Sequence, residues 1–252
     1  MLTNETSSVT KLLFWNGPDN YEYTGIFEQL VLRCRSFIDI GANTGYYTLL
    51  AATKNPSIQV FAFEPASAPY HYLRENIRIN QLQNASAYPL ALSDAVGEIE
   101  FFEVDNPKNY HSKYNLAGTG TLKGEDLSGQ PYVSRKVPTT TLDEWIKTQN
   151  TSIDLIKIDT EGTEHRILSG ADELLRKHAP IIICETLFRV IEDKLEDIMR
   201  RYDYHFFNYR NGKLHRTKTL IRETDNGFRD CFFVPSGKLS WIEIFVDAHP
   251  NS

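Results

Sequence analysis

Short apolar runs alternate with longer amphipathic stretches through the middle of the chain. SFIDI (36–40) precedes YYTLLAATKN, and IQVFAFE (58–64) precedes APYHYLRENIRINQL (68–82). A continuous apolar run bounded by turn residues reads as a buried strand. The periodic stretches read as helices, the second with Tyr70, Leu73, Ile77 and Leu82 on its apolar side. Strand and helix in alternation imply a parallel sheet joined by right-handed crossovers. NASAYPLALSD (84–94) supplies a third strand ending near Leu92, and GEIEFFEV (97–104) alternates as a strand with one wet face does.

The polar, glycine-rich stretch 105–130 is too long for a simple connector and reads as a functional loop or as disorder. SRKVPTTTLDEW (134–145) predicts a strand that pairs with GEIEFFEV, placing that loop at the hairpin tip, and then a short helix opened by Thr141 or Leu142. IDLIKIDTEG (153–162) is a second buried strand with an abrupt polar end, followed by one helix over TEHRILSGADELLRKH with Leu168, Leu174 and Leu175 inward. PIIICE is a further buried strand, and a helix over LFRVIEDKLEDIMRRY follows it. YHFFNY and FRDCFFVP, with a turn at NGK between them, read as an antiparallel pair at the sheet's edge. Ahead of all this, LLFWNGPDNYEYTGIFEQLVL (12–32) predicts a lid or cap over residues 1–35, in front of a main domain over 36–252.

A chain of 252 residues suits one large α/β domain. With 27 basic against 33 acidic residues, net −6, it lacks the electrostatic footprint of a nucleic-acid or membrane partner. Three scattered cysteines, Cys34, Cys184 and Cys231, indicate neither a disulfide framework nor a zinc site. The polar start MLTNETSSVT does not resemble a signal peptide, and no apolar run is long enough for a membrane span, so a soluble, cytoplasmic protein is expected.

Chemistry concentrates where strands end. Asp39 lies just before the turn Gly41-Ala42-Asn43-Thr44-Gly45, Glu64 ends VFAFE, and Asp159 and Glu161 end LIKIDTEG. Ligands of open parallel sheets bind at the carboxyl ends of strands, so these acids should converge on one crevice. Any one of them alone is as well explained as a helix cap or first-turn acid. The turn lacks the G-x-G-x-x-G spacing of a pyrophosphate loop, which counts against a nicotinamide-dependent enzyme. An acid beside the loop suits a cationic, phosphate-free ligand. S-adenosylmethionine, with an amino group, a sulfonium and two ribose hydroxyls for Glu64, fits.

FIDIGANTG, VFAFEP, ALSDAVGEIEFF, VPTTTLDEW, IDLIKIDTEGTEHRILSGADELL and PIIICE resemble the successive motifs of the FkbM-type family of S-adenosylmethionine-dependent methyltransferases, from Phe37 to Glu185. The combination is specific, above all KIDTEG and VPTTTLD; the glycine turn alone is not. The resemblance implies a Rossmann-like class I methyltransferase fold. That is α/β, a mostly parallel seven-stranded sheet with helices on both faces, an antiparallel edge strand and an inserted β-hairpin over about 98–138.

By the same resemblance Asp39, Gly41, Ala42, Asn43 and Gly45 would line the methionine moiety and Glu64 would hold the ribose. Pro65 and the turn Ala91-Leu92-Ser93-Asp94 would border the adenine. Asp159 would face the methyl group and the acceptor, with Glu161 as a second carboxylate.

His111, in the long loop, and His165 are alternative bases, although a lone loop or helix histidine is more often solvated surface. Lys157, costly to bury unpaired, predicts a cross-strand pair with Glu185. Asp159, Glu161 and Glu185 leave magnesium open without favouring it.

The function expected is O-methylation of a hydroxyl on a sugar or secondary metabolite, the other reading being a non-catalytic binding protein that retains the fold. The acceptor should be read by the aromatic leader and by Tyr110, His111, Tyr114 and Asn115 of the loop. Phe14, Trp15, Tyr21 and Tyr23 are expected to be exposed, either capping the site or making a homodimer contact.

Overall fold

The computed structural model describes residues 1–4, 7–17, 21–104, 116 and 132–247. His111 and the other loop residues singled out for acceptor binding lie outside the described residues.

The parallel heart of the sheet is β1 (Ser36–Ile40), β2 (Gln59–Phe63), β3 (Ala85–Tyr88), β7 (Leu155–Ile158) and β8 (Ile181–Glu185). With β9 (Tyr204–Arg210), β10 (Lys213–Thr217) and β11 (Asp230–Pro235) they form an eight-stranded sheet in the order β10-β9-β11-β8-β7-β1-β2-β3. The count exceeds the expected seven because the chain turns back at Asn211-Gly212, both with positive φ, and adds β10. β9 and β11 do pair antiparallel, but β11 is not an edge strand. Its run CFFV is apolar at consecutive positions, as a strand covered on both faces must be, whereas β10 alternates and takes the edge.

The apparent third strand is split. β3 joins the main sheet, and after Pro89, β4 (Ala91–Leu92) joins a three-stranded sheet with β5 (Gly97–Val104) and β6 (Tyr132–Thr140), the inserted hairpin. Beyond β6, Thr141 caps α5 (Leu142–Ile146), its hydroxyl accepting from the Glu144 N–H at 3.0 Å. The single helix expected after β7 is two, α6 (Glu164–Ser169) and α7 (Asp172–Lys177). They break at Gly170, where a Cβ would come within 2.5 Å of the Ser93 carbonyl oxygen. α8 (Glu192–Met199) is shorter than its predicted helix.

Two cores lie on opposite faces of the sheet, as period-two alternation requires. Ile38, Ile40, Phe61, Phe63, Ile156 and Ile158 point to the side of α5, α6, α7 and α8, where the Trp145 ring packs edge-on against Phe61 and Phe63. Phe37, Val60 and Leu155 point to α2 (Thr24–Val31) and α3 (Tyr46–Lys54). α4 (Ser67–Ile79) covers the β2–β3 side through Leu73.

The leader divides. Phe14 and Trp15, on α1 (Ser8–Asn16), are 77% and 79% exposed. Tyr21 and Tyr23 are buried instead, because Tyr23 stacks on Tyr47 with ring centroids 5.0 Å apart and Tyr21 packs edge-on against Tyr46. No helix among the described residues is long and apolar enough to cross a membrane.

Candidate active site

The end of β1 is fixed by backbone geometry. Gly41 turns the chain at φ +72°, and both Gly41 and Ala42 donate N–H bonds to the Phe63 carbonyl at the end of β2. A Cβ on Gly41 would lie 1.9 Å from the Asp159 carbonyl oxygen, so only glycine lets β1 and β7 finish this close together. The same turn organises Glu64. The Asn43 N–H donates to Oε2 and the Ala66 N–H to Oε1, each at 2.8 Å. Burial pushes the Glu64 carboxyl up to about 7 against those two backbone donors.

On the other face, Asp39 and Lys157 are register partners across β1 and β7. Asp39 Oδ2 accepts from the Thr48 hydroxyl at 2.6 Å, while Oδ1 is buried without a hydrogen bond. Lys157 Nζ lies 3.9 Å from Asp39 Oδ1, 3.1 Å from Asp159 Oδ2 and 5.7 Å from the Tyr47 ring centroid. Burial alone would depress the Lys157 ammonium, but the charges of Asp159 and Asp39 outweigh it and hold it above the ordinary lysine range. Burial pushes the Asp39 carboxyl up, and Lys157 and Thr48 pull against it.

The expected Lys157–Glu185 pair is not made. On the β8 side Lys157 stands opposite Ile183, and Glu185, two residues further on, is partnered in register by Asp230. Arg229 approaches Glu185 at 4.0 Å, and burial with the charge of Asp159 pushes its carboxyl up to about 8.

After β7 the chain turns through Glu161 at φ +58°. Buried Glu164 holds that turn by accepting the Thr160 N–H at 2.8 Å and the Gly162 N–H at 3.2 Å. The Asp159 side chain is 46% exposed, and burial raises Glu161.

The ends of β1, β2 and β7 border one cavity of about 660 Å³. Asp39, Gly41, Ala42, Asn43, Glu64, Pro65, Ala91, Leu92, Ser93, Asp159 and Glu161 line it. Gly45 and Asp94 do not. Gly45, at φ +94°, is packed under the start of α3 against Leu73, and Asp94 bonds Arg166 at 2.9 Å.

Sequence reasoning missed part of the wall. Beside Tyr21, one of the leader aromatics expected to cap the site or make a dimer contact, Glu22 also arrives from the leader, Ile99 and Phe101 from the hairpin, and Arg166 and Lys194 from α6 and α8. Glu22 is held at φ +44°, its carboxylate accepting from the Tyr47 hydroxyl at 2.8 Å and its carbonyl from the Tyr209 hydroxyl. Nothing periodic in NYEYTG marks it. His165 also lines the cavity, its Nδ1 buried without a partner and its ring pushed down by burial and by Lys194. Among the described residues no three metal-ligating side chains are grouped to hold an ion.

A mostly parallel sheet in this order, with helices on both faces, is the fold of class I methyltransferases. The methyltransferase FkbM domain model matches residues 39–206, and the chain belongs to that family. It is 27% identical over 200 residues to the methyltransferase sdnD of Sordaria araneosa, covering 65% of this chain and 74% of that protein. It is 30% identical to the 2-O-methyltransferase NoeI of Sinorhizobium fredii, covering 56% of this chain and 58% of that protein. With the 31-O-demethyl-FK506 methyltransferase FkbM of Streptomyces tacrolimicus it shares 28% identity, covering 54% of this chain and 58% of that one. The crystal structure of the methyltransferase FkbM from Methylobacillus flagellatus superimposes with a TM-score of 0.51 at 15% identity, covering 79% of this chain and 43% of that chain.

Proposed function

We propose that the chain is an S-adenosylmethionine-dependent O-methyltransferase acting on a hydroxyl of a sugar or secondary metabolite. The observation that carries this reading is the set of strand-end carboxylates Asp39, Glu64 and Asp159 around one cavity. The residues fit that cofactor. Asp39 presents a buried oxygen with no hydrogen-bond partner, suited to an ammonium group, and Glu64 presents an acceptor carboxylate fixed by two backbone donors.

Asp39 and Gly41, Ala42 and Asn43 would hold the amino-acid end, Glu64 the ribose, and Pro65 with Ala91, Leu92 and Ser93 the adenine. When bound, S-adenosylmethionine supplies a methyl group on positively charged sulfur, already activated for displacement. The chain's task is then chiefly alignment, which can be worth ~7–11 kcal/mol. Asp159, open to the cavity, orients the acceptor hydroxyl by accepting its hydrogen bond and takes its proton, a contribution of ~10²–10⁴ in rate. Glu161, beside it, is the second carboxylate available to the acceptor.

Oxygen as the atom methylated is supported by the names of two relatives, NoeI and the FK506-modifying FkbM. Residues 36–252 form the catalytic unit in this reading, and the leader supplies Tyr21 and Glu22 to its wall. A panel of sugar and metabolite hydroxyls offered with tritium-labelled methyl donor tests it. Label transferred to a hydroxyl compound, and lost with Asp159→Asn, is the expected result. Transfer only to amines would overturn the choice of oxygen.

A further inference from the structure

Lys157 has no place in the binding roles above, yet the residue is 5% exposed and its ammonium is set among charges that belong to both ends of the cavity. Asp39 of β1, at the cofactor end, is 3.9 Å away; Asp159, just past the end of β7 at the acceptor end, is 3.1 Å away. The Tyr47 ring of α3 covers a third side, Glu22, ahead of α2, and Asp230, on β11, interact with the Lys157 charge, and Glu64, after β2, feels the charge of Asp39, a coupling present in wild type and variant alike. A buried carboxylate keeps its charge only if something compensates the lost hydration. Thr48 gives Asp39 only neutral hydrogen bonding, from its hydroxyl and its backbone, and the Lys157 ammonium is the positive charge acting on it.

We propose that Lys157 is a positioning residue that keeps Asp39 ionised for the cofactor's ammonium and ties that carboxylate to Asp159, so that the two halves of the site are set by one shared charge. This rests on the function proposed above. In the reaction the acceptor oxygen gains the methyl group, its proton passes to Asp159, and the electron pair of the broken carbon–sulfur bond stays on sulfur. Lys157 gains and loses nothing. Its charge fixes where the proton acceptor stands.

The consequence is a pH dependence that a purely structural lysine would not produce. Without the ammonium, burial and the neighbouring charge of Asp159 both push the Asp39 carboxyl further up, so Asp39 takes a proton as the pH falls and loses its hold on an ammonium.

The test is calorimetric titration of S-adenosylhomocysteine, which carries the same amino-acid end, into wild-type protein, Lys157→Met, and the double variant Lys157→Met/Asp39→Asn, between pH 6 and 8.5. The ratio of the Lys157→Met dissociation constant to the wild-type constant should grow at least about tenfold from the top of that range to the bottom. In the double variant, which leaves no buried carboxylate uncompensated at that position, the ratio should be large and flat. Lys157→Arg should restore much of the wild-type profile.

A Lys157→Met profile parallel to wild type overturns the inference alone. Failure of folded wild-type protein to bind at all overturns the functional reading and the inference with it. A Lys157→Met protein that does not fold, while the double variant folds and shows a pH-dependent ratio, also overturns it.

Discussion

Replacing Gly41 by alanine puts one methyl group where β1 and β7 meet, and the structure says how far they must part. The new Cβ would stand 1.9 Å from the Asp159 carbonyl oxygen, and real Cβ contacts do not fall below 3.0 Å, so the strand ends must separate by about 1.1 Å. Because the obstacle is backbone, no rotamer change relieves it. The residue must also keep φ +72°, which costs a non-glycine residue ~1–2 kcal/mol.

A displacement near 1 Å at a site that works by alignment costs ~10²-fold. Gly41→Ala should therefore lower stability by at least ~1–2 kcal/mol in urea denaturation and weaken S-adenosylmethionine binding or turnover by ~10²-fold. Gly97→Ala, whose Cβ would meet only Thr139 Oγ1 at 3.9 Å, is the control and should change neither appreciably. A Gly41→Ala protein with wild-type stability and affinity would refute the packing argument.

Asp159→Asn should cost ~10²–10⁴ in turnover while leaving the melting temperature within a few degrees, since the side chain is 46% exposed; a radiometric assay and a thermal melt check both parts. Thr48→Val, nearly the same shape, removes the hydroxyl hydrogen bond to Asp39 Oδ2 and should cost ~1–3 kcal/mol in urea denaturation. The ligand-free protein should lose stability as the pH rises through 7 and 8. Glu64 and Asp230 are pushed up to about 7 and Glu185 to about 8, so from the ordinary carboxylate range up to those values the folded state binds more protons than the unfolded one, and stability falls with rising pH until the last of them has ionised. A melting temperature that climbs steadily from pH 5.5 to 8.5 would contradict this.

The parallel strands were legible because each is a short apolar run that ends in a turn or an acid, and β1 coincides with SFIDI. The hairpin was legible from alternation, and the Thr141 cap from a hydroxyl ahead of an acidic first turn. What sequence reading missed depends on contacts between distant segments. The break between α6 and α7 answers to a carbonyl of the 91–94 turn, which no local propensity encodes. The partner of Lys157 is set by strand register, and a shift of two positions separates Ile183 from Glu185. Glu22 reaches the cavity wall through a left-handed backbone conformation braced by hydroxyls of Tyr47 and Tyr209, neither near it in sequence. That Asp39, Glu64 and Asp159 border one cavity was legible because strand ends in an open parallel sheet share one side.

The central claim is that this cavity binds S-adenosylmethionine through its strand-end carboxylates. Calorimetric titration of S-adenosylmethionine into wild-type protein and Glu64→Ala tests it most directly. Saturable one-site binding by the wild type, weakened at least tenfold in a folded Glu64→Ala, is the predicted result. No heat of binding in either folded protein, or equal affinity in both, would contradict it.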